Sequence, residues 1–100
     1  MLIAHVMFQV AATDRAAALQ TLLDECDAVR RMQGCIAFIP FVDPTNHTRL
    51  GVLHEWDSAE AFAAYTESDA FAKVGQTLRP VMTAPPVSKR FDASLIEALN

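Results

Sequence analysis

The stretch that decides the fold is residues 46–71, NHTRLGVLHEWDSAEAFAAYTESDAF. Its apolar segment, Thr48 to Trp56, predicts a strand, and Asp57-Ser58 with Glu60 predicts a capping box that starts a helix directly after it. Ser68-Asp69 marks a second helix start. The stretch contains the only Trp, the only Tyr and two of the three His of the chain. These side chains are well suited to bind or oxidise an aromatic molecule.

Upstream of this stretch, the pattern predicts a strand and then a helix. Positions from Leu2 to Val10 alternate in character, which is typical of a strand with two different faces. Thr13 or Asp14 can start the helix, and Gly34 can end it as a left-handed residue. Helical spacing predicts one buried stripe, formed by Leu19, Leu22, Leu23, Cys26 and Val29.

The segments before and after residues 46–71 predict the remaining two strands of the sheet. Cys35 to Val42 is apolar throughout, as expected of a strand buried on both faces, and Pro40 places it near an edge or a bulge. The turn residues Asp43 to Asn46 then join it to the next strand in a hairpin. After the helices, Pro80 ends the helical pattern, and Val87 to Asp92 predicts the last strand.

The order β-α-β-β-α-β predicts an α+β fold of the ferredoxin-like split βαβ type, with a four-stranded antiparallel sheet and helices on one face. Residues 1–100 are then one domain, with an apolar tail at residues 93–100. Because nothing covers the second face of the sheet, we expect a homodimer packed sheet to sheet. The tail should pack on the partner subunit or across its own sheet.

Composition and charge exclude several classes of protein. Because 52% of the residues are hydrophobic, the chain is not a disordered one. The net charge is −4 and no basic stripe is present, so we expect no binding to nucleic acid. The longest uncharged apolar stretch, Gly34 to Val42, is too short to span a bilayer, and no leader pattern precedes the first strand. We therefore expect a cytoplasmic protein with no membrane partner.

Three side chains near the strand-to-helix junction are candidate catalytic residues. His54 and Trp56 are two residues apart and so share one strand face. A neutral His54 is a suitable base for a phenolic proton, and Trp56 can donate a hydrogen bond to a phenolic oxygen. Tyr65 follows Phe62 by three residues on one helix face, where it can line a pocket. Core packing is the alternative for all three, with His54 bonded to a backbone carbonyl.

Two weaker possibilities involve other residues. His5 lies on the first strand, which runs antiparallel beside the third in this fold, so His5 can approach His54 or Glu55. Two His and a carboxylate can bind a metal, but no ligand spacing supports this and we predict no metal site. Arg79 and Arg90 can steer an anionic substrate, with ordinary solvation as the alternative.

These residues together resemble the antibiotic biosynthesis monooxygenase domain family, within the dimeric α+β barrel superfamily. The resemblance runs from Ile3 to about Phe91 and rests on four motifs, which are Gly34-Cys35, Asp43 with Asn46, Glu55 to Ala61, and Ser68 to Phe71. It implies a homodimer whose sheets form one barrel, with a small pocket between sheet and helices in each subunit. Characterised members oxidise phenols or quinols with dioxygen and no metal or flavin, and others degrade haem.

Three positions distinguish the chain from branches of that family. The Trp and His of haem-degrading relatives correspond to Tyr65 and Gly75, so the resemblance implies no haem. Many quinol-oxidising relatives have a His where Tyr65 stands, and the polyketide-oxidising type has an Asn where Val52 stands. Trp56 is the position that carries over unchanged.

The resulting hypothesis is a cofactor-independent monooxygenase that oxidises a small aromatic, phenolic or quinol-type substrate with dioxygen. Its catalytic residues are His54, Trp56 and Tyr65, and it has neither cofactor nor metal. Its substrate-binding residues are Phe8, Val52, Phe62 and Phe71. The alternative is a non-catalytic homodimeric module that binds or shields a small apolar ligand. A cavity of roughly 300 Å³ or more that reaches His54 would favour an enzyme or a binder, and a filled core would exclude both.

Overall fold

Strands and helices follow one another in the order that the sequence predicts. The computed structural model describes residues 1–100. Its elements are β1 (Leu2–Gln9), α1 (Arg15–Arg30), β2 (Cys35–Val42), β3 (Arg49–Trp56), α2 (Ala59–Thr66), α3 (Asp69–Leu78) and β4 (Val87–Asp92). No helix is both long and apolar enough to cross a membrane, the longest being α1 with 16 residues.

The four strands form one antiparallel sheet in the order β2-β3-β1-β4. This arrangement confirms the ferredoxin-like α+β fold. In the central pair, Ala4 of β1 lies directly opposite His54 of β3, and on the other side Ala4 lies opposite Arg90 of β4. Pro40 lies on the edge strand β2, as predicted, and a register shift between Cys35 and Ala37 adds a bulge there.

The two faces of the sheet have different environments. Alternate residues of β3 point to the helices and are buried, namely Leu50, Val52, His54 and Trp56. Arg49, Leu53 and Glu55 point to the other face and are only partly buried. The hydrophobic core therefore lies between the sheet and the three helices, and the strand periodicity of two decides which residues of β3 reach it.

Helix α1 differs in two details from its prediction. A single 3₁₀ turn at Ala12–Asp14 leads into it, and the Asp14 side chain makes no cap hydrogen bond. The buried stripe consists of Ala18, Leu22, Cys26 and Val29, whereas Leu23 is 44% exposed. Leu23 follows Leu22 by one residue and is rotated about 100° away from it, so Ala18 takes its place in the stripe.

The turn after α1 depends on Gly34. The helix already ends at Arg30, four residues earlier than the glycine, but Gly34 has the predicted left-handed backbone with φ of 84°. Its carbonyl accepts a hydrogen bond from the Asp57 backbone N–H at 2.8 Å. A Cβ at this position would lie 2.5 Å from both the Ala61 Cβ and the Asp57 Oδ1. The start of α2 thus packs directly on the bare glycine backbone.

Serine side chains start the two short helices. The Ser58 hydroxyl accepts from the Ala61 N–H at 3.1 Å, and the Ser68 hydroxyl accepts from the Phe71 N–H at 3.2 Å. The predicted capping box with Asp57 and Glu60 is wrong. Because Ser58 is the cap, Glu60 occupies the second helical position, one residue before the place from which a box residue reaches back.

Two apolar segments are more exposed than the sequence suggested. Strand β2 is not buried on both faces, since Ile39 is 47% exposed on the side that no helix covers. The tail does not pack across its own sheet either, because Leu95, Ile96 and Leu99 are all exposed, Ile96 by 97%. The alternation of β2 between a helix-covered and an uncovered face is hidden by its continuous apolar composition.

Substitution of two glycines by alanine should have opposite effects on stability. Gly34→Ala should lower the free energy of unfolding by about 2 kcal/mol or more, because a left-handed backbone and a close contact both oppose a Cβ. Gly75→Ala in α3 should raise it by about 0.5–1 kcal/mol, because its Cβ would meet nothing closer than the Arg79 Nε at 3.5 Å. Urea unfolding midpoints measure both. Equal effects of the two changes would contradict this account of the turn.

Candidate functional site

A cavity of about 260 Å³ lies between the sheet and helices α2 and α3. Its floor is a cross-strand row in which Val6 of β1 lies between Val52 of β3 and Ser88 of β4. Phe8 and His54 line the floor on either side of this row. The floor belongs to the three strands β3, β1 and β4, so its shape depends on the sheet register.

The roof of the cavity is largely aromatic. Phe62 and Tyr65 reach it from α2, and Phe71 reaches it from α3. All four predicted substrate-binding residues therefore line one space: Phe8, Val52, Phe62 and Phe71. A cavity of about 150 Å³ is enough for benzene, so 260 Å³ accommodates one substituted aromatic ring. The volume is slightly below the value of about 300 Å³ at which typical ligand sites begin.

His54 is held by Trp56. Although His54 is only 3% exposed, its imidazole lines the cavity. The Trp56 indole N–H donates a hydrogen bond of 2.8 Å to the Nδ1 of His54. Trp56 itself is fully buried, does not line the cavity, and stacks on Tyr65 with ring centroids 5.1 Å apart. The predicted bond from Trp56 to a phenolic oxygen is therefore replaced by a bond to His54.

This hydrogen bond fixes the tautomer of His54. Because Nδ1 accepts a hydrogen bond from the indole N–H, the neutral imidazole carries its own hydrogen on Nε2. Every side-chain nitrogen or oxygen that is fully buried has a hydrogen-bond partner. His54 forms a hydrogen bond only through Nδ1, and its Nε2 has no partner in the protein. Its Nε2 must therefore be accessible, and the space that His54 lines is the cavity. The cavity receives an N–H donor.

Burial keeps His54 neutral. Desolvation, followed by the charges of Arg90 and His5, lowers the pKa of His54 from 6.5 to about 4. The bond from Trp56 acts in the same direction, because in an imidazolium Nδ1 carries a hydrogen and can no longer accept the hydrogen bond from the indole N–H. At neutral pH the side chain is thus an uncharged hydrogen-bond donor toward the cavity.

Tyr65 contributes a ring to the same cavity. Its phenolic oxygen has no hydrogen-bond partner within the protein, so it keeps some access to solvent, and the groups whose charges act on it, Cys35 and Glu25, do not line the cavity. Burial, and then the nearby Cys35 and Glu25, raises the pKa of Tyr65 to about 12. The ring is wedged between Trp56 and Phe71, the latter 5.4 Å away in edge-on contact. Tyr65 therefore remains a protonated phenol in a fixed position.

The metal-binding possibility for His5 is not supported by its position. His5 lies opposite Leu53 on the uncovered face of the sheet, whereas His54 points to the helices. The His5 ring instead packs on Phe91 at 5.5 Å. No three side chains of His, Cys, Asp or Glu come together in a way that would hold a metal ion. The antiparallel pairing of β1 and β3 correctly predicts that His5 and His54 lie near each other along the strands. It does not predict which face each side chain occupies, because a shift of one residue along a strand moves a side chain to the opposite face.

The structure also brings residues to the cavity that the sequence analysis did not assign there. Phe38 of β2, which is 2% exposed, lines it and contacts both His54 and Tyr65 edge-on. Arg79 and Arg90, considered only as steering charges, line it from the end of α3 and from β4. Phe38 lies opposite His54 in the sheet, so only the strand register identifies it.

Comparison with known proteins gives a consistent picture. The sequence matches the family model described as antibiotic biosynthesis monooxygenase over residues 1–76. A candidate antibiotic biosynthesis monooxygenase from Deinococcus radiodurans has a TM-score of 0.87 at 21% identity, with 100% of this chain and 97% of that chain covered. Another, from Caulobacter crescentus, has 0.87 at 22% identity, with 94% and 90% covered. A third, from Nitrosomonas europaea, has 0.87 at 16% identity, with 93% and 98% covered. At these identities the structural likeness shows the fold alone, and no curated protein matches the sequence.

Acid should destabilise the protein through His54. The unfolded imidazole has a pKa near 6.5 and the folded one about 4, so the unfolded state binds more protons between these values. The contribution of His54 to the free energy of unfolding is therefore fully present above pH 6.5. It is lost as the pH drops toward 4, and the loss is about 2 kcal/mol at pH 4.5. Urea unfolding at pH 7 and pH 4.5 measures the loss. His54→Asn keeps an acceptor for Trp56 without a titrating ring, and should lose about 2 kcal/mol less over the same range. An identical loss in both proteins would contradict the assignment.

Proposed function

The chain belongs to the antibiotic biosynthesis monooxygenase family, and we propose that it oxidises a small phenol or quinol with dioxygen, without metal or organic cofactor, in the cavity lined by His54 and Tyr65. The observation that carries this proposal is a ring-sized aromatic cavity with one unpaired donor, the His54 Nε2–H. Aromatic walls bind a ring, and the donor can hold its oxygen.

The proposed reaction needs no electrons other than those of the substrate. For a phenol, one oxygen atom of dioxygen enters the ring as a second carbonyl and the other leaves as water, so phenol and dioxygen give a quinone and water. The ionised phenol transfers one electron to dioxygen, and the resulting radical pair combines to a peroxide that loses water. Stabilisation of the phenolate is the contribution that a protein can make to the first step.

His54 serves this step best as a hydrogen-bond donor. Its Nε2 already carries a hydrogen and its Nδ1 is bonded to Trp56, so neither nitrogen is free to take the phenolic proton. The low pKa of His54, about 4, also disfavours an imidazolium. The proposal thus changes the role of His54 from the predicted base to a donor that stabilises the phenolate, while the proton leaves to water at the open side of the cavity. Trp56 positions the imidazole, and the Tyr65 ring packs on Trp56 and forms part of the cavity wall.

The donor and base roles can be separated with two amide variants. His54→Gln retains an N–H near the position of Nε2, whereas His54→Asn retains only the acceptor for Trp56. If His54 is a donor, oxygen uptake with an active phenol should fall by about 10²–10³-fold in His54→Asn, as for other lost oxyanion donors, and less in His54→Gln. A panel of phenols and quinols in an oxygen electrode, without added cofactor and with a metal chelator present, provides the measurement.

The same assay distinguishes the proposal from its competitors. Equal loss in both amide variants would favour the base, and parent-like rates in both would remove His54 from the chemistry. A phenol that binds near His54, detected by nuclear magnetic resonance, but never consumes oxygen would favour the non-catalytic binding module. Leu23→Gln, on the exposed side of α1, is a matched control that should leave oxygen uptake unchanged.

We also propose that the protein is a homodimer joined through the uncovered face of the sheet. Large apolar side chains are exposed there, including Ile39, Val87 and Phe91. The chain exposes 6470 Å², whereas a folded monomer of 11.0 kDa exposes about 5,600 Å². Two copies stacked face to face would cover this surface as in other sheet sandwiches. The tail residues Leu95 to Leu99 are then free to pack on the partner subunit.

A charge on the uncovered face should weaken the dimer. Ile39→Asp would bury an unpaired carboxylate between the sheets and should raise the dimer dissociation constant at least about tenfold, since a buried charge without a partner costs well over 1.4 kcal/mol. Leu23→Asp is the control, because Leu23 is 44% exposed, close to the 47% of Ile39, but lies on α1. Light scattering at micromolar concentration reports both. A monomeric parent protein, or equal dimerisation of both variants, would exclude this interface.

A further inference from the structure

The cavity carries a positive charge that the chain as a whole does not. Two arginines, Arg79 and Arg90, line it, and no Asp or Glu does. The complete chain has a net charge of −4. Both arginines are exposed although they line the cavity, so they lie where it opens to solvent. An anionic ligand group would meet two cations at this opening and no opposing carboxylate among the lining residues.

Neither arginine is needed elsewhere in the fold. Arg15 and Arg30 donate hydrogen bonds to backbone carbonyls, and Arg49 pairs with Asp43. The second ion pair of the protein joins Lys73 and Glu25. Arg79 and Arg90 take part in no ion pair and make no hydrogen bond through their side chains. Five donors on each guanidinium are therefore available to a ligand.

Arg90 is directed at the site by the sheet register. It lies directly opposite Ala4, which lies directly opposite His54, so the three form one row on the helix-covered face. Ala4 itself is fully buried and does not line the cavity. The Arg90 guanidinium lies 4.8 Å from the centroid of the Phe62 ring, a wall of the cavity, and its charge contributes to the low pKa of His54.

Arg79 reaches the same space from the end of α3. It follows Gly75 by four residues, on the same helix face. Its Nε would lie 3.5 Å from a Cβ at Gly75, so the arginine side chain folds back over the bare helix surface toward the cavity that both residues line. The two cations thus come from two different elements, the end of α3 and β4.

We propose that the substrate of this site is an aromatic carboxylate, whose ring lies between the aromatic walls and whose carboxylate binds Arg79 and Arg90 at the opening. The planar guanidinium fork matches a carboxylate, and a cavity of about 260 Å³ leaves room for a single ring with such a group. The phenolic hydroxyl at the other end of the ring then meets the Nε2–H of His54. This inference rests on the proposed function and names its substrate class.

Binding of two probes that differ only in charge tests the inference without any turnover. 4-Hydroxybenzoate and 4-hydroxybenzamide share the ring, the hydroxyl group and nearly the same shape. The acid should bind the parent protein about tenfold more tightly than the amide, as expected for charge-assisted hydrogen bonds to guanidinium. The preference should shrink between 50 and 500 mM potassium chloride, because the opening is exposed to solvent. Titrations followed by nuclear magnetic resonance give both dissociation constants.

Arginine variants locate the preference. Arg90→Gln and Arg79→Gln should each reduce the advantage of the acid at least about threefold while leaving the affinity for the amide unchanged, which also shows that each variant is folded. Arg90→Lys should keep part of the advantage, since the charge remains and the fork is lost. Arg31→Gln is the matched control, because Arg31 is exposed at the end of α1 and does not line the cavity.

Each outcome decides something different. Equal binding of acid and amide, or a preference that survives both glutamine variants, overturns the aromatic carboxylate and leaves the cavity proposal standing. Binding of neither probe overturns both. A preference for the acid together with an absence of oxygen uptake supports the anion site while contradicting the monooxygenase.

Discussion

The hydrogen bond from the Trp56 indole to the Nδ1 of His54 is the interaction on which the site depends. It joins two side chains on the same face of β3 and needs nothing beyond the strand itself. It determines which imidazole nitrogen carries the hydrogen, and so whether the cavity receives a donor or an acceptor. The stack of Trp56 on Tyr65 extends the same constraint to α2, so one buried indole positions both His54 and Tyr65.

A polar group placed in an aromatic cavity must keep its partners or lose its charge. His54 satisfies this condition by remaining neutral and using Nδ1 for an internal bond, and Tyr65 satisfies it by remaining a protonated phenol. The charged groups of the site, Arg79 and Arg90, stay at the exposed opening, where their solvation costs little. The cavity is therefore divided into an uncharged inner part, where His54 is the donor, and a cationic outer part.

Much of the fold follows from local sequence patterns, because strand and helix periodicities depend on neighbours only. The bounds of β4 and the starts of α2 and α3 at Ser58 and Ser68 are examples. The shared face of His54 and Trp56 also follows from the period of two. The row that links Arg90 to His54, and the position of His5 on the face opposite to that of His54, depend on register between strands distant in sequence. In a continuously apolar segment such as β2, the sequence does not show which side chains point to the helices and which point to the uncovered face.

The position of the only tryptophan has a consequence for observing the protein. Trp56 is buried, bonded to the very imidazole whose other nitrogen faces the cavity, and in stacking contact with the only tyrosine. Any ligand that draws on the Nε2 hydrogen of His54 will polarise the ring and, through Nδ1, the indole. The protein thus contains one intrinsic fluorophore that is hydrogen-bonded to a residue of its own candidate site. The fluorescence emission of Trp56 should therefore respond to a ligand that binds at the Nε2 of His54.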